Sequence, residues 1–388
     1  MTSPTPASLD LIRRLIAFDT TSRDSNLALI DFVRDYLKKL GVDSQLVFDE
    51  TGKKANLFAT FGPDDKPGLI LSGHTDVVPV DGQDWHTNPF DVTQKDGLLY
   101  GRGTCDMKSF IAVLLGMAPD FARAKLKKPL HFAFSYDEEV GCIGVRGLIA
   151  ELGKRTITPM ACVIGEPTSM RVIRAHKGKL SARAHVHGLE CHSSLAPKGV
   201  NAVQYAAETV SYIAKMARRI AESGPFDHEY DVPHTTCHTG VIQGGTALNI
   251  VPKDCWFDFE FRHLPADDPQ KLYQEVRDFA EKQLQPEMRK VNPNTGFTWK
   301  PLSSFPGLET SEDAEVTQMA KAASGGNATA KVAFGTEAGL FDQAGIPTII
   351  CGPGSIEQAH KPNEYVALDQ VAQCETFVRR LVERVAYA

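Results

Sequence analysis

Apolar residues recur at helical spacing at Leu9, Ile12, Leu15 and Ile16, which predicts a first helix with Ser8 as its N-cap. Leu27, Ile30, Val33 and Leu37 predict a second, over about 26–40, closed by Gly41 in a left-handed turn. The period then shortens. Runs at 45–48, 56–61 and 68–72 predict strands, and the unbroken Gly68-Leu-Ile-Leu-Ser72 predicts an interior strand covered on both faces. A buried helix over 107–122 follows, with further core strands at 130–136 and 161–164. Strands alternating with helices in this way indicate a layered α/β architecture.

Further along, the order changes. Strand 179–187, helix 201–221, strands 236–243 and 254–262, helix 270–284 and strand 296–300 spell β-α-β-β-α-β, the ferredoxin-like plan of a small α+β unit. A helix at 313–323, strands at 328–334 and 348–351, and a helix from Leu368 then resume the first style. We therefore expect one larger domain in two segments, 1–181 and 299–388, with a second domain inserted at 182–298. The length, 388 residues, exceeds what one core of typical size needs.

Composition narrows the function classes. Hydrophobic residues make up 42% and charged residues 23%, the profile of a folded globular chain. The net charge of -6 lacks the basic surplus of a nucleic-acid binder. The longest apolar run, Phe110 to Ala118, is too short to span a bilayer. An acid and two arginines stand in Met1 to Leu15 where a leader needs an apolar stretch, so the expected location is cytoplasmic. Eight scattered cysteines with no CxxC pair read as reduced thiols rather than a thiolate metal site.

Chemistry concentrates in five stretches. Ser72-Gly-His-Thr-Asp-Val-Val-Pro79, Gly101-Arg-Gly-Thr-Cys-Asp-Met-Lys108, Ser135-Tyr-Asp-Glu-Glu-Val-Gly141 and Gly165-Glu-Pro-Thr168 lie at or beyond strand-like runs, and Gln358-Ala-His-Lys-Pro-Asn-Glu364 lies near the C-terminus. Taken singly, each reads as an acid-rich surface turn. Ligands of an open α/β sheet bind beyond the carboxyl ends of its strands, so together they predict one shared site. Carboxylates and imidazoles without sulfur suit a pair of zinc-like divalent ions in a hydrolase. In His74-Thr-Asp76 the carboxylate two residues on is placed to take the spare imidazole N–H. In Asp137-Glu138-Glu139 successive side chains on extended backbone point opposite ways, so one Glu can ligate metal while its neighbour serves as general base.

The five stretches together resemble the M20 metallopeptidase and deacylase family, along essentially the whole chain. The resemblance implies that His74 and Glu166 ligate one zinc ion, Glu139 and His360 the other, and that Asp106 bridges them, followed by a cis peptide bond. It implies that Asp76 orients His74 and that Glu138 is the general acid/base. Cobalt or manganese could stand in for zinc. Gly188-Leu-Glu-Cys-His-Ser-Ser194 is similar to a family turn whose histidine, here His192, reaches a partner's active site and stabilises the oxyanion. The inserted domain is accordingly expected to pair two copies into a homodimer. Asn249, in Gly244-Gly-Thr-Ala-Leu-Asn249, and Arg262 match family substrate-contact positions, and Arg262 offers a fork for a carboxylate. His185, His187, His228, His234, His238 and His263 receive no role. Within the family, Phe334-Gly-Thr-Glu-Ala-Gly339 and the Lys-Pro after His360 look like the acetylornithine deacetylases. There Glu337 would favour a substrate with a cationic side chain, with Lys177 and Thr336 as further contacts. The expected substrate is a small N-acylated amino acid, with no nucleic-acid or membrane partner. Desuccinylases, aminoacylases and dipeptidases of the same family remain as alternatives, as does a non-catalytic binder of amino-acid conjugates.

Overall fold

The computed structural model describes residues 3–386. The chain forms two compact units. The larger runs to Ala175 and takes up again at Leu308–Lys331 and from Thr336; the smaller is His176–Gly307 with Val332–Gly335. The smaller unit thus begins six residues before position 182, ends nine after 298, and includes a short second segment.

The larger unit is built on a mixed sheet in the order Ser44–Phe48, Ala55–Phe61, Leu130–Ser135, Leu69–His74, Ala161–Pro167, Thr348–Gly352, Val172–His176, Leu308–Glu309, with Thr329–Val332 beside Val172–His176. Its four middle strands, from Leu130–Ser135 through Leu69–His74 and Ala161–Pro167 to Thr348–Gly352, run parallel. Every residue of these four strands is buried, which is why they read as unbroken apolar runs rather than alternations. Helices Pro6–Ile16, Lys108–Arg123, Glu315–Ser324 and Leu368–Ala386 contribute their apolar stripes to the same core. The first helix starts earlier than the apolar pattern indicates. Thr5, not Ser8, caps it: the Thr5 hydroxyl accepts from the Ser8 N–H, and Pro6 occupies the first turn, where its missing N–H costs nothing.

The smaller unit is a four-stranded antiparallel sheet in the order Thr236–Gly244, Asp254–His263, Gly178–His187, Gly296–Phe305. That is the ferredoxin-like strand order. Leu180, Ala182, Ala184 and Val186 face a core shared with helix Ala202–Ser223, while the alternate residues Lys179, Arg183, His185 and His187 are only partly buried on the other face. The second helix differs from expectation. Pro269–Phe279 passes through one π turn, Ala280–Leu284, and resumes as Gln285–Val291. Pro286 has no N–H for a regular bond, so a local widening lets the helix continue past Leu284, where the expected helix ends.

Candidate metal centre

Three adjacent parallel strands end at the centre. His74 closes one, Glu166 lies near the end of the second, and Asp137-Glu138-Glu139 follows the third after Tyr136. Two glycines allow the next layer to press against these ends. A Cβ on Gly165 would stand 2.0 Å from Phe110 Cγ, and one on Gly73 would stand 2.7 Å from Met107 Cε. Both neighbours belong to the segment just after Asp106, so the Gly-His and Gly-Glu pairings let Asp106 approach the sheet. The Asp106–Met107 peptide bond is cis.

The five ligand-type side chains meet. His74 Nε2 lies 3.0 Å from Asp106 Oδ1 and 3.6 Å from Glu166 Oε1. His360 Nε2 lies 3.2 Å from Asp106 Oδ2 and 2.9 Å from Glu139 Oε2. Asp106 therefore presents one oxygen to each imidazole. Glu138 joins His74 and Glu166, with one donor atom from each lying within 4.8 Å of the others. His74, Asp106 and Glu166 are buried, whereas His360 is exposed.

The supports of the centre are partly as expected and partly new. The nearest acceptor for His74 Nδ1 is the Asp76 carbonyl at 2.9 Å, with the Asp76 carboxylate at 3.6 Å. That carboxylate is engaged by the Glu138 N–H (3.1 Å), the Glu139 N–H (3.3 Å) and the Ser22 hydroxyl (2.7 Å). Asp76 thus positions the acidic turn as well as the histidine. Glu364, to which the sequence assigned no role, accepts from the N–H groups of Gly103, Cys105 and Asp106 and pairs with Arg102 at 2.6 Å. Gln83 accepts from Arg102 and donates to the His360 carbonyl, holding a residue whose φ is +64°. No local motif announces Gln83; only its glycine- and aspartate-rich loop is visible in sequence.

Electrostatics test whether these side chains suit cations. Burial, then the charge of Asp106, pushes Glu139 up to about 7, and burial with neighbouring acids holds Glu138 and Glu166 well above the usual carboxylate range. Bonds to Asp106 and Glu139 push His360 up to about 11. Burial opposes a charge on His74, but Asp106, Asp76 and Glu166 hold it raised as well. So much negative charge packed out of water calls for positive charge, and oxygen and imidazole donors in this number fit a pair of divalent ions. Cys105 does not compete: its thiol donates to the Ser355 carbonyl, and burial raises its pKa.

The remaining candidates divide between the units. In the larger, Thr336 is buried and caps the Ala338 N–H, and Glu337 is buried with Oε1 unpartnered, its carboxyl raised to about 7 by burial. Its charge is felt by Glu138. In the smaller, His192 and Asn249 occupy neighbouring loops, joined by a 2.9 Å bond from the Ser193 N–H to the Asn249 carbonyl. His192 Nδ1 lies 2.8 Å from the Ser194 hydroxyl. Arg262 pairs with Glu260 at 3.0 Å, and buried Lys177 donates to the His234 carbonyl at 2.5 Å.

Comparison with known proteins agrees with this architecture. The profile described as Peptidase family M20/M25/M40 matches residues 70–384. The chain is 34% identical to the acetylornithine deacetylase of Myxococcus xanthus over 98% of each protein. It is 32% identical to that of Pasteurella multocida (strain Pm70) over 97% of each. Among solved structures, an M20 family metallo-carboxypeptidase from Sulfolobus solfataricus superposes with a TM-score of 0.77 at 17% identity, covering 98% of this chain and 99% of that one. A dinuclear metal binding peptidase of the M20 family from Bacillus subtilis superposes at 0.68 with 15% identity over 96% of each. With relatives of this identity along nearly its whole length, and acids and imidazoles gathered where its parallel strands end, the chain belongs to peptidase family M20/M25/M40 and is a metal-dependent hydrolase.

Proposed function

We propose that this protein removes the acetyl group from N2-acetyl-L-ornithine, releasing L-ornithine and acetate, a step in arginine biosynthesis. The observation that carries the reading is the set of curated acetylornithine deacetylases that match it over nearly their entire length. His74 and Glu166 would hold one divalent ion, Glu139 and His360 the other, with Asp106 between them; zinc suits the donors best, and cobalt or manganese can replace it. Two such ions, when bound, lower the pKa of a shared water and polarise the acyl carbonyl.

Glu138 is the proton carrier. Its carboxylate takes a proton from the attacking water, and the water oxygen forms a bond to the acetyl carbon. The same carboxyl then gives that proton to the amide nitrogen as the C–N bond breaks, so the amine leaves neutral. Asp76 holds Glu138 and Glu139 in register through their N–H groups. In a homodimer formed through the smaller unit, His192 serves the partner subunit's centre by donating to the oxyanion. Thr336 and Glu337 are proposed contacts for the amino-acid part, and Asn249, Arg262 and Lys177 are further candidate substrate contacts. No helix among the described residues is long and apolar enough to cross a membrane, and eight unpaired cysteines suit work in the reducing cytoplasm.

Hydrolysis of acetylornithine, succinyl-diaminopimelate, acetylmethionine and a dipeptide is compared on metal-loaded and chelated protein. The expected result is the highest kcat/KM for acetylornithine and its loss on chelation. A dipeptide or a succinylated substrate turned over faster would overturn the substrate, and activity surviving chelation would overturn the metal.

A further inference from the structure

The smaller unit carries a second cluster of ligand-type side chains, on the open face of its sheet. His185 and His187 stand two apart on strand Gly178–His187, so their rings project from the same face. Asp254 lies directly across from His187 on the neighbouring strand. His185 Nε2 is 3.6 Å and His187 Nδ1 3.9 Å from the same oxygen, Asp254 Oδ1, and the three donor atoms all lie within 4.8 Å of one another. The ring centroids of the two histidines are 4.2 Å apart.

The geometry points to a binding site for one divalent transition-metal ion of the imidazole-preferring class, held by His185 Nε2, His187 Nδ1 and Asp254 Oδ1, on a unit that lacks the five ligand-type residues of the centre above. Zinc held by nitrogen and oxygen at roughly 2.0–2.2 Å in a tetrahedron sets its donors about 3.3–3.5 Å apart. The two imidazole-to-carboxylate spacings, 3.6 and 3.9 Å, exceed that by roughly 0.1–0.6 Å, so side-chain rotations must draw the three donors in, and the fourth position is left to water. Thr298 supplies the supporting bond. Its hydroxyl lies 2.9 Å from His187 Nε2; with Nε2–H donating there, the Nδ1 lone pair is turned toward Asp254. An ordinary ion pair explains the cluster less well: at 3.6 and 3.9 Å neither ring nitrogen is within hydrogen-bond reach of Asp254 Oδ1. The nearby cation, Arg183, is matched by Asp258 through two bonds of 2.7 and 2.8 Å and lies over Trp256. All three ligands are solvent-accessible, so an ion can enter.

Such an ion would tie two adjacent strands together and stabilise the unit by mass action. The test titrates metal-free full-length protein with Zn²⁺ against a chromophoric chelator, wild type beside the double variant H185A/H187A. The expected result is one more equivalent of zinc per chain in the wild type, whatever number the centre in the larger unit holds. Equal stoichiometry overturns the site. Should the double variant fail to fold by circular dichroism, Asp254→Asn replaces it. Binding of that one ion is then expected to weaken at least about tenfold, as loss of a charged ligand should, and unchanged binding overturns the proposal.

Discussion

Glu138 differs from its neighbours in having no assigned ligand duty while lying among them. Glu138→Gln keeps the shape and the Asp76 bond to the backbone N–H, and removes the atom that takes the proton. We expect kcat to fall by about 10²–10⁴-fold with KM little changed, and metal content and circular dichroism to match wild type. Near-normal turnover would remove Glu138 from the mechanism. His74, Glu139 and Glu166 were legible in the sequence because each sits in a short stretch at the end of a buried apolar run, and Asp106 and His360 because their stretches join acids or a histidine to glycine or proline turns. Gln83 was not legible. Its value lies in one bond to the His360 carbonyl, a contact between residues far apart in the chain that no local pattern encodes.

At the scale of elements, the loop bearing Asp106 depends on an acid from the far end of the sequence. Glu364 accepts three backbone N–H bonds there and a single bond from Arg102 Nη1. Glu364→Ala would leave the Arg102 charge without its carboxylate and those N–H donors without a partner, at a cost of about 3–5 kcal/mol. Glu364→Gln keeps the volume but loses the charge. Its expected effect is a smaller loss of stability in urea unfolding and a metal affinity weakened about 10–100-fold, as is common when a ligand's support is removed. Affinity equal to wild type would show that the loop holds Asp106 without Glu364. The long helices were readable from their apolar period and the central strands from their unbroken apolar runs. Helix Val145–Leu152 and the short strands Thr93–Lys95, Leu98–Tyr100 and Tyr365–Ala367 were missed, because segments of three to eight residues carry too few apolar positions to show a period.

Across the whole molecule, acid should loosen both units through their histidines. Burial lowers His131, in the larger unit, and His176, in the smaller, to about 4 each. An unfolded ring titrates near 6.5. Between those values the unfolded chain binds more protons, so stability is full above about pH 6.5 and falls as pH drops toward 4, by at most roughly 3 kcal/mol per ring. Urea midpoints of metal-loaded protein measured from pH 7.5 to 4.5 should show this slope, reduced by about one proton in His131→Gln. An identical slope in that variant would mean that another group governs the acid limit. The insertion itself was visible in the sequence as a change of element order, but its short second segment was not, since four residues have no pattern of their own. That segment, Val332–Gly335, receives a bond from the Lys177 N–H to the Val332 carbonyl at 3.3 Å, and Gly335 lies so near Phe305 that a Cβ would stand 2.1 Å from its ring. Anyone building chimaeras between relatives must therefore transplant two stretches of sequence at once. A graft of 176–307 alone would arrive without its own tail piece, and recombination that respects a single pair of breakpoints would be selected against.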